Sequence, residues 1–170
     1  MVFTPLIRKN FYSIIKSKKK SLNNPFTIAL QIIKEFEGLS LKAYKCPAGV
    51  WTIGYGNTSY LKSFTNPTSQ IIRNQKADEL LQQDIKIYLD AVTKQVGSIC
   101  NDNQIGALTS FCFNVGVTNF NRSTLLKVIK VTPKDFLLVQ KEFMKWVYGG
   151  GKILPGLVRR RKRESDVYCE

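Results

Sequence analysis

The sequence predicts an α+β fold, with a small β-containing lobe joined by one long helix to a lobe of shorter helices. Three observations support it: a glycine-punctuated, β-prone segment over residues 39–58, an unbroken helical periodicity over about 70–96, and several helical patterns from residue 101 onward. We expect the functional site in a groove between the two lobes.

The predicted organisation is a basic N-terminal extension over residues 1–23 followed by one domain over residues 24–170. Within that domain, the β-containing lobe covers about 38–69 and the linking helix about 70–97. The helical lobe covers about 98–170 and includes the helix at 25–37. With 170 residues, 44% of them hydrophobic, the chain is long enough for a core that needs no disulfide or metal.

The first predicted helix carries a candidate acid at its end. Asn24 reads as an N-cap and Pro25 as the first helical residue. Ile33 and Glu37 then share a face, and Gly38 ends the helix. A carboxyl group against apolar surface has its ionised form disfavoured, which would suit Glu37 to donate a proton. The alternative is a terminal glutamate that points into water.

The β-prone segment is punctuated by turn residues and reads as a small hairpin or a three-stranded sheet. Cys46 lies in a turn beside Lys45, and a nearby cation with partial exposure would favour a thiolate that acts as nucleophile or base. The alternative is an inert, half-buried thiol. Thr52 follows in the alternating V-W-T-I, where a lone threonine is usually only a good strand former. Glycoside hydrolysis needs a proton donor and a second group on the opposite face, so Glu37, Cys46 and Thr52 together suit it.

The linking helix is predicted from apolar residues that keep helical spacing over roughly 25 residues. Later helices are predicted over 101–113, 123–131, 133–147 and 154–168. The apolar residues of the linking helix are Ile72, Leu80, Leu81, Ile85, Leu89, Val92 and Val96.

Composition excludes several classes of site. The chain has no histidine, which excludes Ser-His-Asp triads, Cys-His dyads and HExxH metal sites in their usual forms. Its four cysteines form no CxxC pair, which argues against zinc and favours free thiols, and Cys112 is expected to be a small buried hydrophobe. No metal or cofactor is expected.

The net charge of +14 favours a polyanionic partner such as nucleic acid, anionic lipid or an acidic cell wall. Part of it lies in the runs KSKKK (16–20) and RRRKR (159–163), whose simplest interpretation is a solvated tail or helix face. No window reaches the roughly 18 apolar residues of a membrane span, and the first 20 residues make a poor secretory signal. The expected location is therefore the cytoplasm of the producing cell.

The spacing E-x(8)-C-x(5)-T, formed by Glu37, Cys46 and Thr52, resembles the catalytic signature of the phage-type lysozymes, the endolysin muramidases of glycoside hydrolase family 24. The surrounding FEGLSLKAYKCPAGVWTIGYGNT is similar to that family's first block. NQIGALTSFCFNVGVTNFNRSTLLKVI and EFMKWVYGGGKILPGLVRRRKRE resemble its second and third blocks. The resemblance covers the chain from about residue 25 to its end.

The resemblance implies a lysozyme-like fold and hydrolysis of the β-1,4 bond between N-acetylmuramic acid and N-acetylglucosamine in peptidoglycan, without metal or cofactor. It implies that Glu37 is the general acid, that Cys46 acts on the opposite face of the sugar where many members have Asp, and that Thr52 helps to hold the attacking water. It also implies that Phe113, Asn114 and Ser123 lie along the sugar groove. Family analogy favours inversion.

Two departures from the family pattern lead to further expectations. Many relatives have histidine where this chain has Asn57, and that histidine can pair with an acid at the position of Asp84. We therefore expect Asn57 and Asp84 to lie close and to be linked by a hydrogen bond. Some cysteine-bearing relatives use a membrane-anchored N-terminal segment and an inhibitory disulfide. We expect neither here, so a monomer without stable membrane insertion would depend on a separate holin.

Two other functions remain open at this point. One is a wall-binding protein that keeps the lysozyme fold but has lost turnover, which the exchange of Asp for Cys makes conceivable. The other is a basic nucleic-acid-binding domain, which rests on charge alone. Because RRRKR lies inside a family block, we do not expect nucleic acid to be the partner.

Overall fold

A computed structural model describes residues 24–46 and 48–170, and the predicted extension over residues 1–23 lies outside this range. The described chain is a mixed α+β fold of seven α-helices and two small antiparallel hairpins. In chain order the elements are α1 (Pro25–Phe36), β1 (Ser40–Lys45), β2 (Trp51–Gly54), α2 (Asn74–Val96), α3 (Asp102–Val115), α4 (Val117–Arg122), α5 (Thr124–Val131), α6 (Phe136–Phe143), β3 (Tyr148–Gly149), β4 (Lys152–Ile153) and α7 (Pro155–Cys169).

Helix α3 is the centre of the helical lobe. A capping box starts it, in which the Asn101 side chain accepts from the Gln104 N–H and the Gln104 side chain accepts from the Asn101 N–H. The rest of the helix is nearly all buried, and α1, α2 and α7 pack around it. Cys112 is fully buried, as predicted, among the core residues Ile32, Val96, Leu108, Phe111 and Phe143.

Helix α1 begins as the sequence predicts. The Asn24 side chain accepts a hydrogen bond from the Thr27 N–H at 2.9 Å, and Pro25 occupies the first turn. The last helical residue is Phe36, so Glu37 lies one residue beyond the helix in extended backbone geometry. This ending turns the Glu37 side chain out of the helical repeat.

The β-lobe is a two-stranded hairpin, β1 paired with β2, that packs on the start of α2. The N–H of Ile72 donates to the Leu41 carbonyl at 2.8 Å, and the N–H of Ala43 donates to the Gln70 carbonyl at 3.0 Å. Residues 70–72 therefore run beside β1, and the linking helix begins at Asn74 instead of about residue 70. Helical spacing could not show this, because Ile72 packs into the same cluster as Ala77 and Leu80 of α2 although it precedes the helix.

Two short elements were not predicted. Helix α4 follows Gly116, whose positive φ of 85° ends α3 and separates the two helices. The β3–β4 hairpin turns through Gly150 and Gly151, both with positive φ. The helix predicted over 133–147 is shorter and covers only Phe136–Phe143. All four cysteines are free thiols. Among the described residues, no helix is long and apolar enough to span a membrane.

Candidate functional site

Glu37 lies where the end of α1 meets α7, with about a quarter of its side chain exposed. Its N–H donates to the Ile33 carbonyl at 2.9 Å, which fixes the backbone at the helix end. Its Oε1 accepts a hydrogen bond from Arg160 Nη1 at 2.5 Å. The prediction that this carboxyl lies against apolar surface is therefore wrong. The guanidinium group of Arg160, 123 residues later in the sequence, faces it.

Two cavities meet at Glu37. The one toward the β-lobe has a volume of about 310 Å³, and the one toward α7 about 570 Å³. Glu37 and Asn114 line both of them, so together they form one groove with the carboxyl at its middle. The β-lobe side is lined by Tyr55, Asn57, Asp84, Tyr88 and Phe113, and the α7 side by Phe36, Leu157, Arg159 and Arg160.

Of the predicted sugar-groove residues, Phe113 and Asn114 line the groove and Ser123 does not. The Phe113 ring packs edge-on against Tyr88, with centroids 5.1 Å apart. Ser123 is buried as the N-cap of α5. Its hydroxyl donates to the Phe120 carbonyl at 2.7 Å and accepts from the Leu126 N–H at 3.1 Å. Both hydrogen bonds are internal, so the structure gives Ser123 a capping role and the groove does not include it.

Cys46 lies in the turn that joins β1 to β2, and Thr52 is the second residue of β2, beside that turn. The N–H of Cys46 donates to the Val50 carbonyl at 3.0 Å, and the buried Thr52 hydroxyl donates to the same carbonyl at 3.0 Å. Because both groups donate to the Val50 carbonyl, Cys46 and Thr52 are held close to each other beside the turn. Neither residue lines the two cavities beside Glu37.

The thiol of Cys46 is more acidic than an ordinary cysteine. Hydrogen bonds from the backbone amides of Val50 and then Ala48, and from the Thr52 hydroxyl, lower its pKa. The pKa of Cys46 is lowered, as expected, but Lys45, the expected cause, is not among the groups that lower it. The Lys45 ammonium group lies over the Trp51 ring, 5.3 Å from its centroid.

The predicted link between Asn57 and Asp84 is confirmed. Asn57 Nδ2 donates to Asp84 Oδ2 at 2.8 Å, and Asn57 Oδ1 accepts the Tyr60 N–H at 2.9 Å. Burial raises the pKa of the Asp84 carboxyl, and the hydrogen bond from Asn57 opposes that effect. The buried amide therefore has its donor and its acceptor in use, and it ties the β-lobe to α2.

The largest feature that the sequence analysis missed is a buried ion cluster under the groove. Arg160 and Arg161 are 3% and 0% exposed, so the interpretation of RRRKR as a solvated face is wrong for these two residues. Both pair with the fully buried Glu164. The signal was present in the sequence, since Glu164 follows the two arginines by four and three residues, on the same helical face.

Among the described residues, no group of three or more Cys, Asp or Glu side chains is arranged to hold a metal ion. The groove offers one carboxyl at its centre, an amide, and aromatic side chains on its β-lobe side. Hydrogen-bonding groups beside aromatic surface are suited to a sugar polymer, whose hydroxyls need polar partners and whose ring faces are apolar.

The family model for phage lysozyme matches residues 34–164. The chain is 39% identical over 143 residues to an endolysin of Acyrthosiphon pisum secondary endosymbiont phage 1, covering 82% of this chain and 93% of that protein. An endolysin of Bacillus phage B103 is 38% identical over 141 residues, and here the match spans only 51% of the relative. The muramidase domain of SpmX from Asticaccaulis excentricus has a TM-score of 0.71 at 32% identity, covering 84% of this chain and 95% of that one.

Proposed function

The chain belongs to the phage lysozyme family, and from that membership we propose that it hydrolyses bacterial peptidoglycan at the β-1,4 bond between N-acetylmuramic acid and N-acetylglucosamine. The single observation that carries the proposal is Glu37, held at the junction of two cavities that share it. A glycan strand lying along this groove would present a glycosidic oxygen to the carboxyl.

In the proposed reaction Glu37 is the general acid. Its carboxyl gives a proton to the leaving glycosidic oxygen while the bond from that oxygen to C1 of the muramic acid breaks. The Arg160 guanidinium, 2.5 Å from Oε1, orients the carboxyl before transfer and stabilises the carboxylate left afterwards. The Glu37 carboxyl is protonated before the transfer and charged after it, and Arg160 contacts it in both states.

Cys46 is the proposed base on the other face of the sugar. Its thiolate takes one proton from a water molecule, and the resulting hydroxide bonds to C1, which inverts that centre. Thr52 is proposed to help hold the attacking water through its hydroxyl oxygen, which can accept a hydrogen bond while its hydrogen donates to the Val50 carbonyl. The lowered pKa of Cys46 supports this role, because a thiol with an ordinary pKa is mostly protonated at neutral pH.

Phe113 and Asn114 are the proposed substrate-binding residues. Phe113 offers the apolar surface of a ring already fixed against Tyr88. Asn114 lines both cavities and accepts a hydrogen bond from Arg161 at 3.0 Å, which leaves its amide hydrogens for sugar hydroxyls.

We further propose that the protein acts as a monomer and waits in the cytoplasm of the producing cell until a separate holin opens the membrane. One complete groove per chain supports the monomer. Gel filtration at working concentration tests the first statement. Host cells that express the protein with and without a holin test the second, and lysis without the holin would contradict it.

Clearing of purified cell walls tests the proposed function. We expect fresh, reduced wild type to clear walls and Glu37→Gln to be at least a hundredfold slower, since the amide cannot give up a proton as an acid. The matched control is Asp166→Asn, which should keep wild-type activity. Asp166 is a surface carboxylate on α7 that pairs with Lys162. Wild type that binds walls without clearing them would contradict hydrolysis and favour a catalytically impaired wall-binding protein.

The stereochemistry needs its own measurement. Proton NMR of a fresh digest reports which anomer forms first, and we expect the inverted one. A retained anomer would contradict the role of Cys46 as a base on water and assign it direct attack on carbon.

A further inference from the structure

A fully buried carboxylate, Glu164, pairs with Arg160 of the groove lining and has no part in the proposed chemistry. It receives hydrogen bonds from three side chains. Its Oε1 accepts from the Ser110 hydroxyl at 2.7 Å, from Arg160 Nε at 3.1 Å and from Arg161 Nη2 at 3.2 Å. Arg161 Nε lies 2.9 Å from its other oxygen. A buried carboxylate that holds two guanidinium groups is costly unless both pairs are well formed.

Each of the two arginines also reaches a groove residue. Arg160 uses Nη1 to hold Glu37 and Nη2 to donate to the Ser110 carbonyl at 3.3 Å. Arg161 lies over the Phe111 ring, 4.8 Å from its centroid, and donates to Asn114. One carboxylate therefore fixes the donors of the proposed acid and of the proposed sugar-binding amide.

The charges in this cluster balance only when Glu164 is ionised. Arg160 and Arg161 supply two positive charges, and Glu37 and Glu164 supply two negative ones. Burial lowers the pKa of Arg161 to about 10, which leaves it charged at neutral pH. Burial also raises the pKa of the Glu164 carboxyl, while the guanidinium groups and the Ser110 hydroxyl oppose that effect. Without the charge of Glu164, Glu37 would be the single counterion of two arginines.

We propose that Glu164 is a positioning residue for the acid step. It locks Arg160 and Arg161 in place and neutralises enough of their charge for Glu37 to take up the proton that it must donate. This inference rests on the proposed function. It concerns what allows the acid to be reloaded with a proton after each turnover.

Other charged and titratable groups near Glu37 are present in every variant compared below and do not touch Glu164. On the β-lobe side they are Tyr55, Asp84 and Tyr88, and on the α7 side they are Glu35 and Arg159. Lys34, also on α1, is paired with Asp78 at 2.7 Å. Any change in pH dependence between these variants therefore reports on the cluster itself.

The test is the pH dependence of kcat on purified walls for wild type, Glu164→Gln and Glu164→Asp. The alkaline limit is the pH at which kcat has fallen to half as pH rises. We expect Glu164→Gln to lower this limit by about one pH unit, the usual size of a neighbouring-charge effect. At neutral pH kcat should fall about tenfold while KM changes less than threefold. Glu164→Asp keeps the charge and should keep the wild-type limit.

Two further variants separate positioning from stability alone. Glu142→Gln removes another buried carboxylate, on α6, which pairs with Lys145 just after that helix and with Thr124 on α5. It should lower Tm without moving the alkaline limit. Glu164→Gln combined with Arg161→Gln restores the charge balance and should return the limit to wild type. If Glu164→Gln does not fold, this double variant and Glu164→Asp decide, and both must keep the wild-type limit.

Several results would overturn the inference. One is a folded, active Glu164→Gln with the wild-type alkaline limit. Another is a displaced limit in Glu164→Asp or in the double variant, because each keeps the charges balanced. Failure of wild type to clear walls would instead be a failure of the proposed function, so the two failures are distinguishable.

Discussion

Cys46 is the proposed site residue at which this chain departs from the family pattern, since the resemblance places an aspartate there in many members. The hairpin compensates through backbone amides, since Val50 and Ala48 lower the pKa of the thiol more than Thr52 does. These donors come from the turn itself, so the local backbone and not a neighbouring cation makes the thiol more acidic, as the proposed base requires.

The pH profile of Cys46→Asp tests this account at the level of one residue. A base must be deprotonated, so activity is lost as pH falls through its pKa. A carboxyl has an ordinary pKa of about 3.9 against about 8.5 for a thiol. We expect the acidic limit of Cys46→Asp to lie more than one pH unit below that of wild type. An unchanged acidic limit would show that Cys46 does not supply the base.

Alkylation gives an independent check on the same thiol. Iodoacetamide should abolish wild-type activity, and bound chitooligosaccharide should slow that loss. Cys112 is an internal control, because it is fully buried and burial raises its pKa to about 12. Mass spectrometry should find the label on Cys46 before Cys112. Full activity in Cys46→Ala would contradict an essential role for this residue.

At the scale of elements, α1 and α3 touch closely enough that one of them needs glycine at the crossing. A Cβ on Gly106 would lie 2.6 Å from Ile28 Cγ2 and 3.0 Å from the Pro25 carbonyl oxygen. We expect Gly106→Ala to lower the free energy of unfolding by about 1–3 kcal/mol through overpacking. Urea denaturation measures this change, and a variant as stable as wild type would show that α1 can move without cost.

The start of α5 gives a second prediction at this scale. The Ser123 hydroxyl satisfies the Leu126 N–H inside the protein. Ser123→Ala should therefore cost about 1 kcal/mol of stability, the usual value of an N-cap, with KM on walls close to wild type. A large rise in KM at unchanged stability would instead return Ser123 to the sugar groove.

Local signals in the sequence predicted the elements well where neighbours in the chain decide them. Asn24 and Pro25 mark the start of α1, and the Asn57–Asp84 hydrogen bond followed from a family pattern. Apart from that hydrogen bond, which the family resemblance supplied, contacts between distant segments were not accessible from the sequence. The burial of Arg160 depends on α7 packing beside the end of α1, and the start of α2 depends on residues 70–72 running beside β1. Helical periodicity carries no information about either contact.

On the scale of the whole molecule, the net charge of +14 should draw the protein to anionic cell walls. Attraction between exposed charges weakens as salt shortens the screening length to about 10 Å at 0.1 M. We expect wall binding by inactive Glu37→Gln to fall severalfold between about 0.01 M and 0.3 M salt. Co-sedimentation with walls measures this binding. Binding that does not depend on salt would assign recognition to the groove alone.

The bond that is cut and the residue that protonates it are both tested by one labelling measurement. Walls digested by wild type are reduced with borodeuteride and fully hydrolysed, and mass spectrometry then shows which sugar carries the label. We predict label in muramic acid for wild type and none above background for Glu37→Gln. Label in glucosamine, or equal label in muramic acid with Glu37→Gln, would contradict cleavage by a muramidase that uses Glu37 as its acid.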